Sequence, residues 1–541
     1  VHGEIVVKTS DYIAEYLAAR GIRHVFGIVG AGNAHLFDSI HKLGFTQIVC
    51  VHHEQAACMA MQTYFRTSGT ITAAILTTGA GSTNASTGIV GAWADSIPGV
   101  VISGNENSRY THADNPLRMW GVQGYDSPEM VRRVTKHADR VMDPARIAYE
   151  LDKAFHIAGS GRPGPVWLDV PMDIQAAVLD ETTLERFQPP AEATVSIDAD
   201  VERVVAMLRG AERPVLWLGH GIRLAGAVDL IEPLLAATGA PALVSWAGID
   251  MVASEHPQVY GRAGVYGGRA SNFVLQNCDA LLCVGTRLAI PQVGYDLTEF
   301  ARGARVAVVD IDPAEAVKHG SRVEVAIAAD ARTFLEALLA ALTAAPLAPR
   351  PAWRARCDGY RESFPSIGPE HADAEGFINS YPVLERMSDH LKPDQIVVTD
   401  MGTALLSGHQ VMRFRDGQRL MTSTGLGEMG FGLPAAIGAS FARDRGEVLC
   451  LNCDGGMMMN LQELQTIVHH ALPIKIIVFN NDGYLMIKHT QKALFKGRYS
   501  GTDERSGVTC PDYAKVAAAF GMPAYQVRTW DDYERVIPEI Q

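Results

Sequence analysis

Short apolar runs alternate with segments of helical period along the whole chain. Runs rich in aliphatic and β-branched residues predict strands at 47–51, 71–76, 99–103, 166–170, 215–218, 280–284, 306–311, 395–398, 447–451 and 474–479. Most are followed within a few residues by Gly, Asp or Asn and then by a helical stretch, as at 54–66, 86–95 and 461–470. Strands spaced by helices predict βαβ units and parallel sheets covered on both faces. Two stretches break the rhythm, 187–196 (FQPPAEATVS) and 343–353 (TAAPLAPRPAW), both rich in Pro and Ala and poor in periodicity. The expected fold is therefore α/β, with three doubly wound parallel-sheet domains in series over 1–188, 196–343 and 354–541. After residues 525–527 the chain reads TWDDYERVIPEIQ, an acid-capped helix start where a doubly wound domain would add another strand. A further C-terminal segment is expected there.

Composition narrows the class without naming it. The 541 residues are 47% hydrophobic and 20% charged, ordinary values for a soluble globular protein. Sixty acidic against 47 basic residues give a formal charge of -13, which argues against a nucleic-acid binder or a protein of anionic membrane surfaces. No apolar run approaches the roughly 18 to 20 residues that span a bilayer. The N-terminal VHGEIVVKTSDYIAEYL lacks a basic region followed by an apolar core. Eight scattered cysteines do not make a disulfide framework, so a cytoplasmic location is expected. Cys450 and Cys453 form a C-x-x-C inside a predicted strand, which favours packing over redox chemistry. The 51 glycines are more informative, because many of them close predicted strands.

The most specific constellation is Cys453-Asp454-Gly455-Gly456 together with Asn480-Asn481-Asp482-Gly483, Asn481 standing 27 residues after Asp454. Each follows a predicted strand, and the helical stretch 461–470 lies between them. Parallel-sheet proteins bind ligands in the crevice at the C-terminal ends of their strands. The Asp454 carboxylate, the Asn481 amide oxygen and a nearby backbone carbonyl are hard oxygen donors suited to Mg²⁺ or Ca²⁺, and Mg²⁺ in such sites completes its shell with phosphate oxygens and water. Gly455 and Gly456 let the backbone come close to a diphosphate, and the helix N–H groups that follow can cradle it. Asn-Asp-Gly is also a good turn sequence in its own right, so neither half is decisive alone. His52-His53-Glu54 is not a zinc motif, because no second His stands four residues after His53. The His469-His470 pair reads as a solvated helix end.

This spacing resembles the motif of thiamine-diphosphate-dependent enzymes, with Cys453 in place of the motif's first Gly. CVHHEQAA around Glu54, GRPGPVWLDVP at 161–171 and TGLGEMGFGLPAAIGA at 424–439 extend the likeness over nearly the whole chain. The chain looks most like the acetolactate synthase branch, and within it like the carboligases of polysaccharide and branched-sugar pathways. The resemblance implies that Glu54 hydrogen-bonds the cofactor's pyrimidine and so activates it. By the same resemblance Asp454, Asn481 and the Gly483 carbonyl hold the metal. Gly30, Gly402, Thr403, Gly427, Met429, Gly455, Gly456 and Tyr484 would line the cofactor, Met429 as the wedge between its rings and the Gly427 carbonyl against its amine. The loop 27–33 (GIVGAGN) and Gln123, with Lys136 thirteen residues on, would face the substrate. Arg162, Gly219, Gly221, Gly264, Arg287 and Asp310 would hold FAD in the central domain, although Gly at strand ends is expected of any doubly wound domain. At least a homodimer, or a dimer of dimers, is implied.

The sequence also departs from the branch. Ile290-Pro291 replaces an Asp-Arg pair, so the guanidinium facing the acceptor's carboxylate is missing, and such an Arg is not replaced neutrally. Met172, Thr403-Ala404 and Thr490 stand where the branch has Lys, Gln-His and Trp. The expected reaction is decarboxylation of a 2-keto acid such as pyruvate and transfer to an acceptor carbonyl other than a second 2-keto acid. A simple 2-keto-acid or acyl-CoA decarboxylase, using His52, His53 or His112, remains an alternative, as does a lyase acting on a diketone. A catalytically dead homologue would be expected to lose Glu54 or Asp454, and both are present.

Overall fold

The structure, a computed structural model, describes residues 6–112, 114–191 and 196–540. Residues 192–195 of the first Pro-rich seam lie outside these, as do the first five residues and Gln541 at the two ends of the predicted domains. By compactness the chain falls into two units. One comprises 1–191, 396–402 and 421–526, and the other 192–395, 403–420 and 527–541.

The first unit is built on parallel strands. Six of them run in the order Gln47–Cys50, His24–Gly27, Ala73–Leu76, Gly99–Asn105, Pro165–Pro171 and His137–Arg140. Gly99–Asn105 and Pro165–Pro171 are buried along their whole length, as a strand covered by helices on both faces must be. Their side chains divide by parity: Val101 and Trp167 enter one core, Val100, Ile102, Val166 and Leu168 the other. Strand order reverses between His24–Gly27 and Ala73–Leu76, so a crevice opens at their C-terminal ends. The same unit holds the parallel strands Ile396–Thr399, Val448–Cys453 and Ile474–Phe479. Helix Gly432–Phe441 packs on helix Glu54–Ser68 so closely that a Cβ at Gly438 would lie 2.1 Å from the Ala60 carbonyl oxygen. The Thr63 hydroxyl donates to the Ala435 carbonyl across this contact at 2.7 Å.

The second unit carries a five-stranded parallel sheet in the order Ala242–Val244, Pro214–Leu218, Ala280–Val284, Arg305–Asp310 and Val325–Ala328. Its reversal falls between Pro214–Leu218 and Ala280–Val284, again at glycine-bearing ends.

All ten predicted strands are present within one or two residues of their expected limits. The six- and five-stranded sheets are parallel as predicted, while the short pair Val6–Lys8 and Val178–Asp180 is antiparallel. The second Pro-rich stretch is not a loose linker. Pro351 sits in the first turn of helix Pro351–Ser363, where a missing N–H costs nothing, and Trp353 is buried with its indole N–H on the Pro214 carbonyl at 3.1 Å. His470 is not simply a solvated helix end, since its ring meets Phe441 edge-on at 5.1 Å. All eight cysteines are free, Cys450 and Cys453 buried on one strand. Among the described residues no helix is long and apolar enough to cross a membrane.

Candidate functional site

At the reversal point of the six-stranded sheet, the loops after His24–Gly27 and Ala73–Leu76 meet. A Cβ on Gly30 would come within 2.5 Å of the Thr77 hydroxyl, and one on Gly81 within 3.3 Å of Glu54 Oε1. Gly79, at φ +65, lies under the Gln123 side chain, 3.0 Å from its amide carbon to the position of a Cβ. Glu54 is the first residue of helix Glu54–Ser68, directly after strand Gln47–Cys50, and is buried. The helix N-terminus favours its negative charge, and the Asn84 side-chain amide donates to its Oε2 at 2.9 Å. Glu54, Gly30 and Gln123, named from the sequence, thus gather around Thr77–Gly81. The Thr77 hydroxyl is buried among them without a hydrogen-bond partner. Such a group costs roughly 1–3 kcal/mol unless a ligand or water satisfies it. His53 does not point to a metal: its Nδ1 caps the helix by accepting the Gln55 N–H.

The second gathering lies at the ends of Ile396–Thr399, Val448–Cys453 and Ile474–Phe479. Asp454 is almost fully buried. Its Oδ1 accepts the Gly455 N–H at 2.9 Å, and its Oδ2 those of Asn481 at 3.1 Å and Gly483 at 2.8 Å. Burial raises its pKa, and these three donors oppose the rise. The turn is sterically specified at Gly483, where φ is +122 and a Cβ would lie 2.2 Å from the Thr502 carbonyl oxygen. Asp454, Asn481 and Gly483 therefore converge as the sequence spacing predicts. Their carboxylate, amide and carbonyl oxygens fit a hard divalent cation. Gly455 lies against the Tyr484 ring: a Cβ there would sit 2.3 Å from a ring carbon and 3.3 Å from Met429 Cε.

Sequence reasoning missed the acid that ties these loops together. Asp400 is fully buried at the end of Ile396–Thr399 and accepts N–H groups of Met401 at 2.8 Å, Gly430 at 3.0 Å and Phe431 at 3.1 Å. A Cβ on Gly456 would lie 2.0 Å from its Oδ2, so the glycine clears space for this carboxylate. Burial pushes the Asp400 pKa up to about 6 against the pull of those hydrogen bonds. A strand-end acid two residues before Gly402 was the available clue. Gly427, at φ +70, sits over Met401 Cε.

Glu428, between Gly427 and Met429, was also missed. The Ser423 hydroxyl donates to its Oε2, and its Oε1 is buried without a hydrogen-bond partner beside Gly91 and Gln62. Burial first, then the charges of Asp95 and Asp400, push its pKa up to about 7. Asp95 is held by Thr424 Oγ1 and the Gly425 N–H, each at 2.7 Å, with Arg66 at 3.9 Å. On the other side, the loop before Glu54 is tied to the segment after the Asp454 turn. The His52 N–H donates to Glu463 Oε1 at 3.0 Å and the Gln55 amide to Asn460 Oδ1 at 2.9 Å.

Other predicted residues are placed differently. Thr403 opens helix Thr403–Val411 and belongs to the second compact unit, whereas the other predicted cofactor-lining residues lie in the first. Lys136 is turned inward, its ammonium on the Ser160 carbonyl, and burial lowers its pKa to about 8. In the second unit, Gly219 and Gly221 pack on Gly285, with would-be Cβ contacts of 2.1 and 2.7 Å, so backbone packing alone accounts for these glycines. Gly264, at φ +128, abuts the Pro291 carbonyl. Asp310 ends strand Arg305–Asp310, and Arg287 follows Ala280–Val284 at the reversal point. The Arg287 guanidinium makes no hydrogen bond or ion pair among the described residues, which suits an anionic ligand. Arg162 belongs to the first unit, where its Nε donates to Ser96 Oγ at 2.9 Å.

Family models match this sequence in three successive segments: the N-terminal TPP binding domain of thiamine pyrophosphate enzymes over residues 7–131, the central domain over 201–338 and the C-terminal TPP binding domain over 400–541. The chain is 34% identical to acetolactate synthase isozyme 2 large subunit of Escherichia coli, over 98% of its own length and 92% of the relative's. It is 31% identical to the isozyme 1 large subunit of the same organism (98% and 91% covered). It is 30% identical to a probable acetolactate synthase large subunit of Methanocaldococcus jannaschii (98% and 90% covered).

The buried Glu428 generates a pH dependence of stability. Its folded pKa stands above the unfolded value, so its contribution is fully present below about pH 4.5. That contribution is lost as pH rises toward about 7, a fall of about 3 kcal/mol. Glu428→Gln is expected to flatten this part of the profile. Urea unfolding of both proteins between pH 5.5 and 8 measures it, and parallel profiles would contradict the assignment.

Proposed function

Because the chain belongs to the thiamine pyrophosphate enzymes, in the acetolactate synthase large-subunit family, we propose that it decarboxylates a 2-keto acid, pyruvate first among them, and transfers the acyl group to an acceptor carbonyl. The observation that carries this reading is the turn of Asn481 and Gly483 folded onto the buried Asp454 carboxylate, in a unit that also buries Glu54 at a strand end. Thiamine diphosphate, when bound, supplies the nucleophilic carbon and the electron sink that such a reaction needs.

Asp454, the Asn481 amide and the Gly483 carbonyl would hold Mg²⁺, whose charge would offset that of a bound diphosphate. Gly455, Gly456 and Gly402 would border that end, and Gly427, Met429 and Tyr484 the rings. Glu54 would face the cofactor's pyrimidine and hold the proton that it exchanges, and Asn84 fixes the orientation of the Glu54 carboxyl group. Gln123 and Gly30 flank the reacting carbonyl, with Thr77 offering a hydroxyl beside them. Helix Glu54–Ser68, pinned to Gly432–Phe441, supplies the rigid base that positioning demands.

A homodimer or dimer of dimers goes with this reading. Val29, Val122, Leu426, Met458 and Met459 are exposed apolar side chains on the loops that carry site residues, as expected of a surface covered by a second copy. FAD in the second unit is supported by the reversal point of its sheet and the open Arg287 guanidinium. Domain limits of 1–188, 196–343 and 354–541 and a cytoplasmic location complete the proposal.

The acceptor is the open specificity. Ile290, exposed at the start of helix Ile290–Val293, and Pro291 offer no cation for a carboxylate. An aldehyde, ketone, keto-sugar or diketone acceptor is therefore expected. Product analysis with pyruvate alone and with pyruvate plus each acceptor class tests this: cross-products should dominate, and robust acetolactate formation from pyruvate alone would contradict it. A visible absorption scan of the purified protein should show flavin bands, and their absence would remove FAD from the proposal.

A further inference from the structure

Strand His137–Arg140 is an edge strand of the six-stranded sheet. Its alternation sends Ala138 into the core shared with helix Glu54–Ser68, while His137 and Asp139 share the opposite face. Helix Ile147–Gly159 carries Glu150 to that face. One donor atom from each of His137, Asp139 and Glu150 lies within 4.8 Å of the other two. His137 Nε2 and Glu150 Oε2 are 3.9 Å apart, and both are buried atoms with no hydrogen-bond partner. Glu150 is itself only 9% exposed.

The two converging donor atoms have only ion-pair contacts at 3.9 Å, with each other and with Lys153, and no hydrogen bond, so an occupant that binds both directly would satisfy them better. The surroundings orient them for such an occupant. Arg146 Nη2 donates to Glu150 Oε1 at 3.2 Å, which leaves Oε2 facing the imidazole. Asp139 Oδ1 accepts the Arg140 N–H at 2.8 Å and leaves its other oxygen available. We propose that His137, Asp139 and Glu150 form a binding site for a divalent first-row transition cation, with Zn²⁺ the best match.

One imidazole nitrogen and two carboxylate oxygens form a borderline donor set, which favours Zn²⁺ over Mg²⁺. Ligand bonds of about 2.0–2.2 Å require the three atoms to close by roughly 1 Å, and the exposed Asp139 side chain has the freedom to do so. Solvent at Asp139 supplies the fourth ligand. Lys153 competes, with its ammonium 3.9 Å from Glu150 Oε2, and must swing outward when the ion binds. The ion would clamp helix Ile147–Gly159 to the sheet edge, which otherwise presents unpaired backbone groups. This site is separate from the Asp454 turn and does not depend on the reaction proposed above.

The test is competition between the protein and a chromophoric chelator for Zn²⁺, with the protein saturated with thiamine diphosphate and Mg²⁺. One equivalent of Zn²⁺ per chain is expected to bind despite excess Mg²⁺. Affinity should fall about tenfold or more in His137→Gln and Glu150→Gln and persist in Asp454→Asn, which is compared with the unmodified protein with the cofactor left out of both. Asp139→Asn, at an exposed position, gives the same readout should the buried variants fail to fold. Zn²⁺ binding that is lost only in Asp454→Asn, or that is unchanged in His137→Gln and Asp139→Asn, would overturn the proposal.

Discussion

A parallel strand covered on both faces admits few polar side chains along its length, and this constraint organises the molecule. Strands such as Ala73–Leu76, Gly99–Asn105 and Val448–Cys453 are buried from end to end. Backbone ladders consume their amides, and helices cover their sides. Polar chemistry is therefore driven to the strand ends, where the chain turns and N–H groups come free. Glu54, Asp400, Asp454 and Asn481 all stand within four residues after a strand. The glycines beside them make room for specific neighbours, as Gly456 does for the Asp400 carboxylate.

Burying acids in this way has an energetic cost that the backbone offsets. Asp400 and Asp454 each accept several main-chain N–H groups, and charge-assisted bonds of this kind contribute about 1.5–3 kcal/mol apiece. Even so, burial leaves both pKa values raised. Glu428 has fewer donors, one serine hydroxyl and an unsatisfied oxygen, and its pKa too is pushed up, to about 7. A comparison lies in the second unit. There Asp250, equally buried, is bonded by the guanidinium groups of Arg223 at 2.7 Å and Arg419 at 2.9 Å, and its pKa falls instead.

Strands were legible in the sequence because fully buried strands are continuous apolar runs, and the Asp454–Asn481 pair because both follow such runs at a distinctive spacing. Short or mixed strands were not. His137–Arg140 carries three polar residues in four, since it lies at an edge and faces solvent on one side. Asp400 and Glu428 were invisible for another reason: their importance comes from contacts with segments distant in sequence, Gly456 for one and Gly91 for the other. The His137–Asp139–Glu150 cluster likewise exists only once a helix is laid against a strand. Glycine at the ends of the central strands was readable but ambiguous, since Gly219, Gly221 and Gly285 have a sufficient reason in one another.

The proposed division of labour between the two gatherings is the central claim: Asp454 would anchor the metal and cofactor, and Glu54 would drive the chemistry. It is tested most directly by measuring Mg²⁺-dependent thiamine diphosphate binding and pyruvate consumption on Glu54→Gln and Asp454→Asn in parallel. Glu54→Gln is predicted to retain cofactor binding and lose turnover, while Asp454→Asn loses binding itself. Turnover by Glu54→Gln at the level of the unmodified protein would contradict the account.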